Sequence, residues 1–463
     1  MKKKGRFFLL VLALAMVAAM FAGCKDGGEN PADTTPVVDA EALKGYKLTI
    51  AGTDKVFPKK DESGNYLNAL QEQFADELDA LTERLGIEIE QVALPEGDVI
   101  ESLISAGMGA LKYADLIHAG QDQFWSVAKA GALIPLDDER LTSRGLNYTD
   151  STRWYQTNLK WTELFGHPWG LTVASEYVPA QTGYFITFNK ELCASAGYDD
   201  MYQLVRDKKW NWDAYREIAR ATTKDLDADG VPDIWGTGAT AWGNEAISNG
   251  VQYIGEVDGK WRLTISSDAG IEALQFLYDM NYADGTRWDV SSGQCREAFA
   301  NGTITFNWAQ MGHINGPGET IYESAHDYGI IPMPLGPRAT EYLSMSNGVD
   351  AFVIQNSNQD LDKVVPIINE WALVVNDPES YLKVLDDGRC RTEADKEMMI
   401  TYIIPNYAIN RGNMNEEIWS LIDDDGNNGG IISEVSYNGM TPAQAIEAYE
   451  ARVNAALDKF FDQ

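Results

Sequence analysis

Cysteine and histidine are scarce in this 463-residue chain, which contains four of each. The cysteines are Cys24, Cys193, Cys295 and Cys390. Cys24 lies in a distinct N-terminal segment, and the other three are an odd number with two in helical patterns, which argues against a disulfide framework. We expect these three to be small buried apolar residues. The histidines show no metal-ligand spacing such as H-x-x-x-H, and they are His118, His167, His313 and His326.

Basic residues are also scarce. Lysine and arginine number 37 against 70 aspartates and glutamates, and the formal net charge is −33. A field of this sign repels nucleic acid and anionic lipid, so it argues against a nucleic-acid-binding role. It also disfavours anionic solutes, although a local field can override the global one.

Two catalytic motifs are absent from the sequence, the G-x-S-x-G elbow and the P-loop. The 70 acidic residues, however, leave an acid/base pair of the glycosidase type open. A carbohydrate-active secreted hydrolase or lyase is therefore one function that the sequence leaves open.

Long apolar runs are missing except at the N terminus, where Phe7 to Phe21 follows a basic cluster beginning at Lys2. A run this short, with these flanks, is typical of a cleavable export signal and not of a membrane-spanning helix. The motif Ala-Gly-Cys ending at Cys24 resembles a bacterial lipobox, which predicts a signal peptide over residues 1–23 and lipidation of Cys24, with palmitate as an acyl group. The alternative is a plain secretory signal in which this cysteine has no role. Residues 24–45 are expected to form a flexible tether.

The rest of the chain alternates predicted strands and helices. Leu48 to Ala51 predicts a first strand, and an apolar stripe from Leu67 to Leu85 predicts a helix. A strand near 87–92, a helix near 99–107 and a strand near 114–118 follow. This β-α-β-α-β order predicts an α/β protein with a mostly parallel sheet covered by helices.

One helical stretch contains a proline. Pro366 lies inside the otherwise helical segment from Asp360 to Asn376. A proline in a helix interior lacks one backbone donor and crowds the preceding turn, so the sequence predicts either a kink or a later helix start.

The stretch from Gly183 to Gly238 carries the most specific pattern. A buried-type strand ends in Asn189-Lys190, a short helix stops at Gly197, and Asn211 caps a second helix. This order resembles the middle of the extracellular solute-binding proteins of ABC importers, the maltodextrin-type family (family 1) of sugar-binding lipoproteins.

Further segments resemble the same family along nearly all of the chain after the tether. Ala114 to Ile117 with Ala130 to Asp137 is similar to its first-lobe pattern, and Phe299 to Gly302 with Tyr328 to Pro334 is similar to its second-lobe pattern. The resemblance implies a two-lobed α/β fold of the periplasmic-binding-protein type II, with mixed sheets flanked by helices and a cleft between the lobes. By this analogy, the first lobe comprises residues 46–173 plus 339–400, and the second comprises 174–338 plus 401–463.

The resemblance implies a lipid-anchored protein on the outer face of the bacterial cytoplasmic membrane. It would capture a sugar, expected to be a neutral oligosaccharide, for the membrane subunits of an ABC permease. It would be a monomer with no enzymatic activity and no nucleic-acid partner. Delivery to a membrane sensor stays open because it uses the same fold. A polyamine ligand stays open too, because its cations would pair with acidic residues and lie over aromatic rings.

The chain contains 13 tryptophans, which suits sugar recognition. Sugars have C–H faces that lie on aromatic rings and hydroxyl groups that bond to polar side chains. By resemblance, Trp308 occupies a position that stacks on sugar, with Trp242 and Trp235 as weaker candidates. The predicted substrate-binding residues are Asp54, Lys55, Asp122, Gln123, Glu176, Tyr177, Trp242, Trp308 and Asn347. For each polar member, a surface or capping role is the alternative.

An acidic loop has a separate pattern. Asp225, Asp227, Asp229 and Asp233 match positions 1, 3, 5 and 9 of an EF-hand loop, with Gly230 at position 6 and the carbonyl of Val231 at position 7. Four carboxylates packed without a cation would repel one another. The spacing predicts a structural Ca²⁺ site in a protein that otherwise requires no cofactor. Gly236 stands where an EF-hand has a bidentate Glu, which lowers the expected affinity, and the alternative is a solvated acidic turn.

Overall fold

The computed structural model describes residues 38–52, 54–238, 243–316, 318–386, 388–423 and 429–462. A compact unit extends from Asp39 to Gln463. The predicted signal peptide, Cys24 and most of the predicted tether lie outside the described residues, as do Trp242 and the side chain of Asp54. Among the described residues, no helix has both the length and the apolar character needed to cross a membrane.

The strands of the described residues form two main four-stranded sheets and three small two-stranded ones. In chain order they are β1 (Lys47–Ala51), β2 (Glu88–Val92), β3 (Leu116–Gly120), β4 (Glu163–Leu164), β5 (His167–Pro168), β6 (Phe185–Asn189), β7 (Trp235–Thr237), β8 (Ile254–Val257), β9 (Lys260–Leu263), β10 (Ile304–Ala309), β11 (Tyr328–Pro332), β12 (Ser344–Ser346), β13 (Asp350–Val353) and β14 (Tyr407–Ile409).

The first main sheet has the order β13-β3-β1-β2 and the second has the order β11-β6-β10-β7. In the first sheet, β1 is parallel to β2 and β3, and β13 is antiparallel to β3 with Asp350 opposite Gly120. In the second, β6 is antiparallel to β10 and β11, and β7 is parallel to β10. β12 pairs in parallel with β14. The three parallel strands of the first sheet are those that the alternating pattern predicts.

Helices cover these sheets. In chain order they are α1 (Ala40–Leu43), α2 (Ala69–Leu85), α3 (Val99–Met108), α4 (Gln121–Lys129), α5 (Glu139–Thr142), α6 (Gln156–Leu159), α7 (Lys190–Ser195), α8 (Met201–Arg206), α9 (Trp212–Thr222), α10 (Asn244–Ser248), α11 (Asp268–Tyr282), α12 (Ser292–Ala300), α13 (Leu361–Val375), α14 (Pro378–Tyr381), α15 (Glu393–Met398), α16 (Glu416–Ile422), α17 (Ile431–Ser436) and α18 (Pro442–Phe461). Short 3₁₀ helices span Asp54–Val56, Lys160–Thr162, Met311–Ile314 and Leu382–Asp386, and a π-helical turn spans Met399–Ile403.

Local sequence signals account for the helix ends. The side chain of Asn68 accepts the N–H of Gln71 at the start of α2, and Gly86 closes that helix in the left-handed region at φ 65°. At the start of α18, Thr441 and Gln444 form a reciprocal capping box. The predicted end of α2 at Leu85 is confirmed.

The core is aromatic and aliphatic. β6, β10 and β11 are buried along their whole length, as expected for strands covered on both faces. Trp125, Trp154, Trp210 and Trp371 are fully buried, so tryptophan at these positions serves packing. Cys193 and Cys295 are buried and Cys390 is partly buried, and no disulfide joins these three residues, as the sequence predicts.

One local expectation needs correction, and one of the two alternatives given for Pro366 is excluded. The helix predicted from Leu67 begins at Ala69, and Leu67 is 56% exposed outside it, because the cap at Asn68 sets the start. α13 begins at Leu361 and contains Pro366, so it does not start late. Buried residues on both sides of the proline, such as Val365 and Ile367, hold the helix through it by packing.

Candidate functional site

A cavity of about 470 Å³ is lined by residues of the first main sheet and by residues that directly flank strands of the second. Its residues are Lys55, Val56, Lys59, His118, Asn158, Thr172, Val173, Val178, Pro179, Ala180, Gln181, Thr182, Tyr184, Gln310, Met311, Gly312, Asn315, Ser346, Asn347, Asp350 and Phe352. Lys55 follows β1 of the first sheet, and Gln310 follows β10 of the second. Ligands of α/β proteins bind at such carboxyl ends of strands, so this cavity is the candidate site.

A larger groove of about 640 Å³ lies beside α9, α11 and the segment 335–339. Trp212 stacks on Phe276 there with ring centroids 4.2 Å apart, and Arg338 Nε pairs with Glu272 at 2.8 Å. The first sheet does not contribute to its lining. We place the site in the smaller cavity because strand ends from the two main sheets meet there, whereas the groove is lined without the first sheet.

The first-sheet wall of the cavity carries an ion pair and a neutral histidine. Lys55 Nζ lies 3.4 Å from Asp350 Oδ2. Burial lowers the pKa of His118 to about 4, with Asp350 opposing this shift and Lys55 adding to it. The imidazole is therefore uncharged at neutral pH. Its ring packs on Phe352 with the centroids 4.7 Å apart.

Asp122 and Gln123 lie on the first turn of α4 and are partly buried, but neither lines the cavity. Burial raises the pKa of Asp122, and nearby Asp350 raises it further. A Cβ on Gly120 would lie 2.6 Å from Asp122 Oδ1, so this close approach favours glycine. Asp122 thus stands behind the wall that the Lys55–Asp350 pair forms.

Amides and hydroxyls provide most of the polar lining. They belong to Asn158, Thr172, Gln181, Thr182, Gln310, Asn315, Ser346 and Asn347. Asn347 Oδ1 is buried and accepts no hydrogen bond from the described residues. A buried acceptor of this kind is costly unless a ligand or water donates to it. Asn347, which the sequence predicts as a contact, thus lines the cavity and carries an acceptor that no described residue satisfies.

Trp308 lies behind the cavity wall. It is only 5% exposed and is not among the lining residues. Tyr184, which does line the cavity, meets its ring edge-on with the centroids 5.1 Å apart, and His313 lies 5.6 Å away. The described arrangement therefore makes Trp308 a support for Tyr184, whereas the sequence resemblance predicts direct stacking on sugar.

Glu176 and Tyr177 point away from the cavity lining. Glu176 Oε1 lies 3.7 Å from Lys383 Nζ. The ring of Tyr177 stacks on Phe74 at 4.5 Å, and its hydroxyl donates to Glu77 Oε1 at 2.8 Å. The cavity is lined instead by the residues directly after them, from 178 to 182.

Of the nine predicted contacts, the structure brings Lys55 and Asn347 to the lining, and Trp242 and the side chain of Asp54 lie outside the described residues. Sequence reasoning missed His118, Gln181, Gln310 and Asp350, among others. Gln310 and Asp350 carried a usable signal, because each lies at the edge of a predicted strand next to a named candidate.

The acidic loop brings carboxylates together on the surface. One oxygen from each of Asp225, Asp227 and Asp229 lies within 4.8 Å of the others, and all three residues are exposed. The N–H groups of Gly230 and Ala228 donate to Asp225 at 2.9 and 2.7 Å, and the first of these is the main reason why the pKa of Asp225 is lowered. An oxygen-only donor set of this kind fits Ca²⁺.

The other predicted ligands of the loop, Asp233 and Val231, make hydrogen bonds within the loop. Asp233 Oδ2 accepts the N–H of Leu226 at 2.7 Å, and Val231 donates its own N–H to Asp229. Gly236 lies in β7, where a Cβ would meet the carbonyl oxygen of Ala219 at 2.3 Å. Packing against α9 therefore excludes a twelfth-position carboxylate from this loop.

Comparison with known protein families shows to which family the chain belongs. The family described as "Bacterial extracellular solute-binding protein" matches residues 60–372, which is more than half of the chain. The protein belongs to this family. The membership confirms the family resemblance predicted from the sequence and gives the protein an extracytoplasmic location. A comparison with curated proteins yields no match.

Several solved structures share the fold. UspC from Mycobacterium tuberculosis matches with a TM-score of 0.61 at 16% identity, covering 89% of this chain and 100% of that one. The sugar-binding protein MalE from Xanthomonas citri matches with a TM-score of 0.61 at 15% identity, covering 90% and 99%. The maltotriose-binding protein of Thermus thermophilus matches with a TM-score of 0.54 at 15% identity, covering 88% and 99%. These likenesses confirm the predicted two-lobed α/β fold.

Proposed function

We propose that this solute-binding protein captures a sugar, an oligosaccharide, and delivers it to an ABC permease. The observation that carries the proposal is the cavity at the strand ends, where the polar lining consists mainly of amides and hydroxyls. Asn347 Oδ1 at this cavity has no hydrogen-bond donor among the described residues. Such groups suit sugar hydroxyls. Structural relatives that bind maltotriose and other sugars support the same solute class.

The charges at the cavity favour a neutral sugar over a polyamine. Lys55 and Lys59 line the cavity, and among the described lining residues Asp350 is the single carboxylate. Lys55 already opposes that carboxylate at 3.4 Å. A polycation would therefore meet two lysines and little negative charge, although the chain as a whole is acidic.

The same lining gives no support to a hydrolase or lyase. A glycosidase needs two carboxyl groups flanking the scissile bond, one of them an acid with a raised pKa. Among the described lining residues Asp350 is the only carboxylate, so they do not supply the second carboxyl group that a glycosidase needs. Asp122 lies behind Gly120. The chain's own role is to bind and release, while the permease's ATPase supplies the energy for transport.

Binding would stabilise a closed arrangement of the two lobes. A solute that touches Lys55 on the first-sheet side and Gln310 on the second-sheet side gains contacts that a partly open cleft cannot supply. Differential contact of this kind shifts the population towards the closed state. Closure would thus report occupancy to the permease.

Two further features complete the proposal. Lipidation at Cys24 would hold the protein on the outer face of the membrane, with residues 24–45 as the tether. Ca²⁺ would bind Asp225, Asp227 and Asp229 as a structural clip. Because these carboxylates are exposed and lack a bidentate Glu, we expect affinity in the weak, extracellular range.

A thermal-shift panel tests the proposed solute class. Purified protein is heated with neutral oligosaccharides, acidic oligosaccharides and polyamines in parallel, and a ligand that binds the native state raises the melting temperature. We expect a rise with at least one neutral oligosaccharide. A rise with polyamines alone would overturn the proposal, and release of reducing ends during incubation would identify a hydrolase.

A further inference from the structure

A buried amide joins the start of α4 to the segment 346–350. Gln121, the first residue of α4, is 1% exposed. Its Oε1 accepts the N–H of Val349 at 3.2 Å. Its Nε2 donates to the carbonyl oxygens of Asn410 at 2.8 Å and Asn413 at 2.7 Å. One side chain therefore holds two segments that are more than 200 positions away in the sequence.

Immediately before this segment, the backbone is bonded to the second-sheet side of the molecule. The N–H of Met345 donates to Asn244 Oδ1 at 2.8 Å. The carbonyl oxygen of Met345 accepts the N–H of Tyr184, the residue before β6, at 2.8 Å. Both polar backbone groups of Met345 thus belong to a network on that side.

A few residues later, the attachment changes to the first sheet. Val349 is bonded to Gln121, and Asp350 is opposite Gly120 in the pairing of β13 with β3. Only Ser346, Asn347 and Gly348 separate the two anchors. This three-residue stretch contains Asn347, the cavity residue with the open acceptor.

A second segment of the same chain, residues 410–413, is also bonded both to Gln121 and to the stretch 346–348. The N–H of Asn410 donates to the carbonyl of Ser346 at 2.7 Å, and Asn413 Nδ2 donates to the carbonyl of Asn347 at 3.3 Å. Gln121 bonds the carbonyls of these same two asparagines. A Cβ on Gly348 would lie 3.2 Å from the Gln121 side chain, so the amide and the turn are closely packed.

We propose that Gln121 is a positioning residue that holds the stretch 346–350 and the facing residues 410–413 to the first sheet. At this connection between the two sheets, rotation is then confined to the three residues between the anchors, which places Asn347 at its pivot. The consequence for solute affinity rests on the proposed function, whereas the positioning role can be measured without any solute. Gln121 itself is not among the residues lining the cavity.

Gln121→Met tests the role because methionine has a similar length but offers no amide. The Val349 N–H and two carbonyl oxygens would lose a buried partner, which favours local opening of both segments. Hydrogen exchange of the solute-free mature protein should become at least tenfold faster in peptides covering 346–350 and 410–413. Gln275→Met, a matched change at an exposed position of α11, should leave both peptides unchanged.

Two results would overturn the proposal. One is exchange in both peptides equal to that of the control variant. The other is a rise of the same factor in peptides from β6 and β10, because this would mean general loss of stability and no specific positioning. Neither result bears on the sugar panel, so failure here and failure of the proposed function are distinguishable.

Gln121→Glu adds a pH profile that a purely structural role would not produce. The ionised carboxylate would face the carbonyl oxygens of Asn410 and Asn413, and burial would raise its pKa. The protonated acid can donate to one carbonyl while its other oxygen accepts the Val349 N–H. We expect the excess exchange over wild type at equal pH to fall at least fivefold between pH 8 and pH 5. An excess that is the same at both pH values would contradict the proposal.

Discussion

Replacement of Trp308 by alanine separates two interpretations of this residue. If the ring supports the cavity wall, as its 5% exposure and its edge-on contact with Tyr184 indicate, the main effect is on stability. If the ring stacks on solute, as the sequence resemblance implies, the main effect is on affinity. Trp308→Ala therefore decides which part of the site the sequence described correctly.

The magnitudes follow from burial. Replacing a buried tryptophan with alanine typically costs about 3–5 kcal/mol of unfolding free energy, because transfer and cavity terms add. Loss of one aromatic pair is worth about 0.5–1.5 kcal/mol, which bounds the indirect effect through Tyr184 on binding. Trp308→Ala should therefore lose about 3–5 kcal/mol of stability but only about 1 kcal/mol of sugar affinity.

Urea unfolding followed by fluorescence gives the first quantity, and calorimetric titration of the folded variant gives the second. Trp308→Phe should recover more than half of the lost stability, and Trp419→Ala, at a partly buried position of α16, should cost less than Trp308→Ala. A stability loss below about 1 kcal/mol together with an affinity loss above about 2 kcal/mol would refute the supporting role and restore direct stacking.

Three further predictions concern other parts of the chain. Cys24→Ser should yield protein that carries no diacylglyceryl group and is released from membranes, and mass spectrometry that finds the group would refute lipidation. EGTA should lower the melting temperature by several degrees, since calcium at 100 times its dissociation constant is worth about 2.7 kcal/mol, and Asp227→Ala with Asp229→Ala should abolish this response. A wild-type melting curve that is identical with EGTA and with calcium would show that the loop is an acidic turn and not a calcium site. Burial raises the pKa of Glu245 to about 7, so stability should fall by about 3 kcal/mol as the pH rises from 4.5 to 7, and Glu245→Gln should flatten that fall.

The sign of the last effect follows from the order of the two pKa values. The unfolded chain releases the Glu245 proton near the ordinary value, whereas the folded chain keeps it up to about pH 7. Between these values the unfolded state binds fewer protons, so rising pH favours unfolding. A wild-type stability that is flat over this window would contradict the shift.

Sequence reasoning predicted the features that short-range chemistry controls. The predicted end of α2 at Leu85 is confirmed, because the left-handed Gly86 follows it directly, whereas the start, which the cap at Asn68 sets, was placed two residues too early. The order of strands and helices predicted the parallel part of the first sheet. Lys55 and Asn347 were predicted from the family resemblance, and both lie within four residues of a strand end.

The differences between the predicted contacts and the cavity lining concern side-chain direction, which tertiary packing controls. Tyr177 turns towards Phe74 on α2, which is more than 100 positions away and invisible to a local pattern. Gln121 and Gln123 differ only by position on one helical turn, yet the first is buried at 1% exposure and the second is not. Successive helix residues point about 100° apart. An alignment to the family that is shifted by two residues therefore assigns a ligand contact to a side chain that only packs behind the site.

The central claim is that a sugar binds in the cavity that both sheets line. Calorimetric titration with the oligosaccharide that gives the largest thermal shift tests it most directly, with Asn347→Ala as the cavity variant and Asn301→Ala, exposed beyond α12, as the control. The account predicts one site per chain, affinity about tenfold weaker for Asn347→Ala and wild-type affinity for Asn301→Ala, since one solute hydroxyl loses its acceptor. Wild-type affinity for Asn347→Ala, or no heat with any sugar, would contradict it.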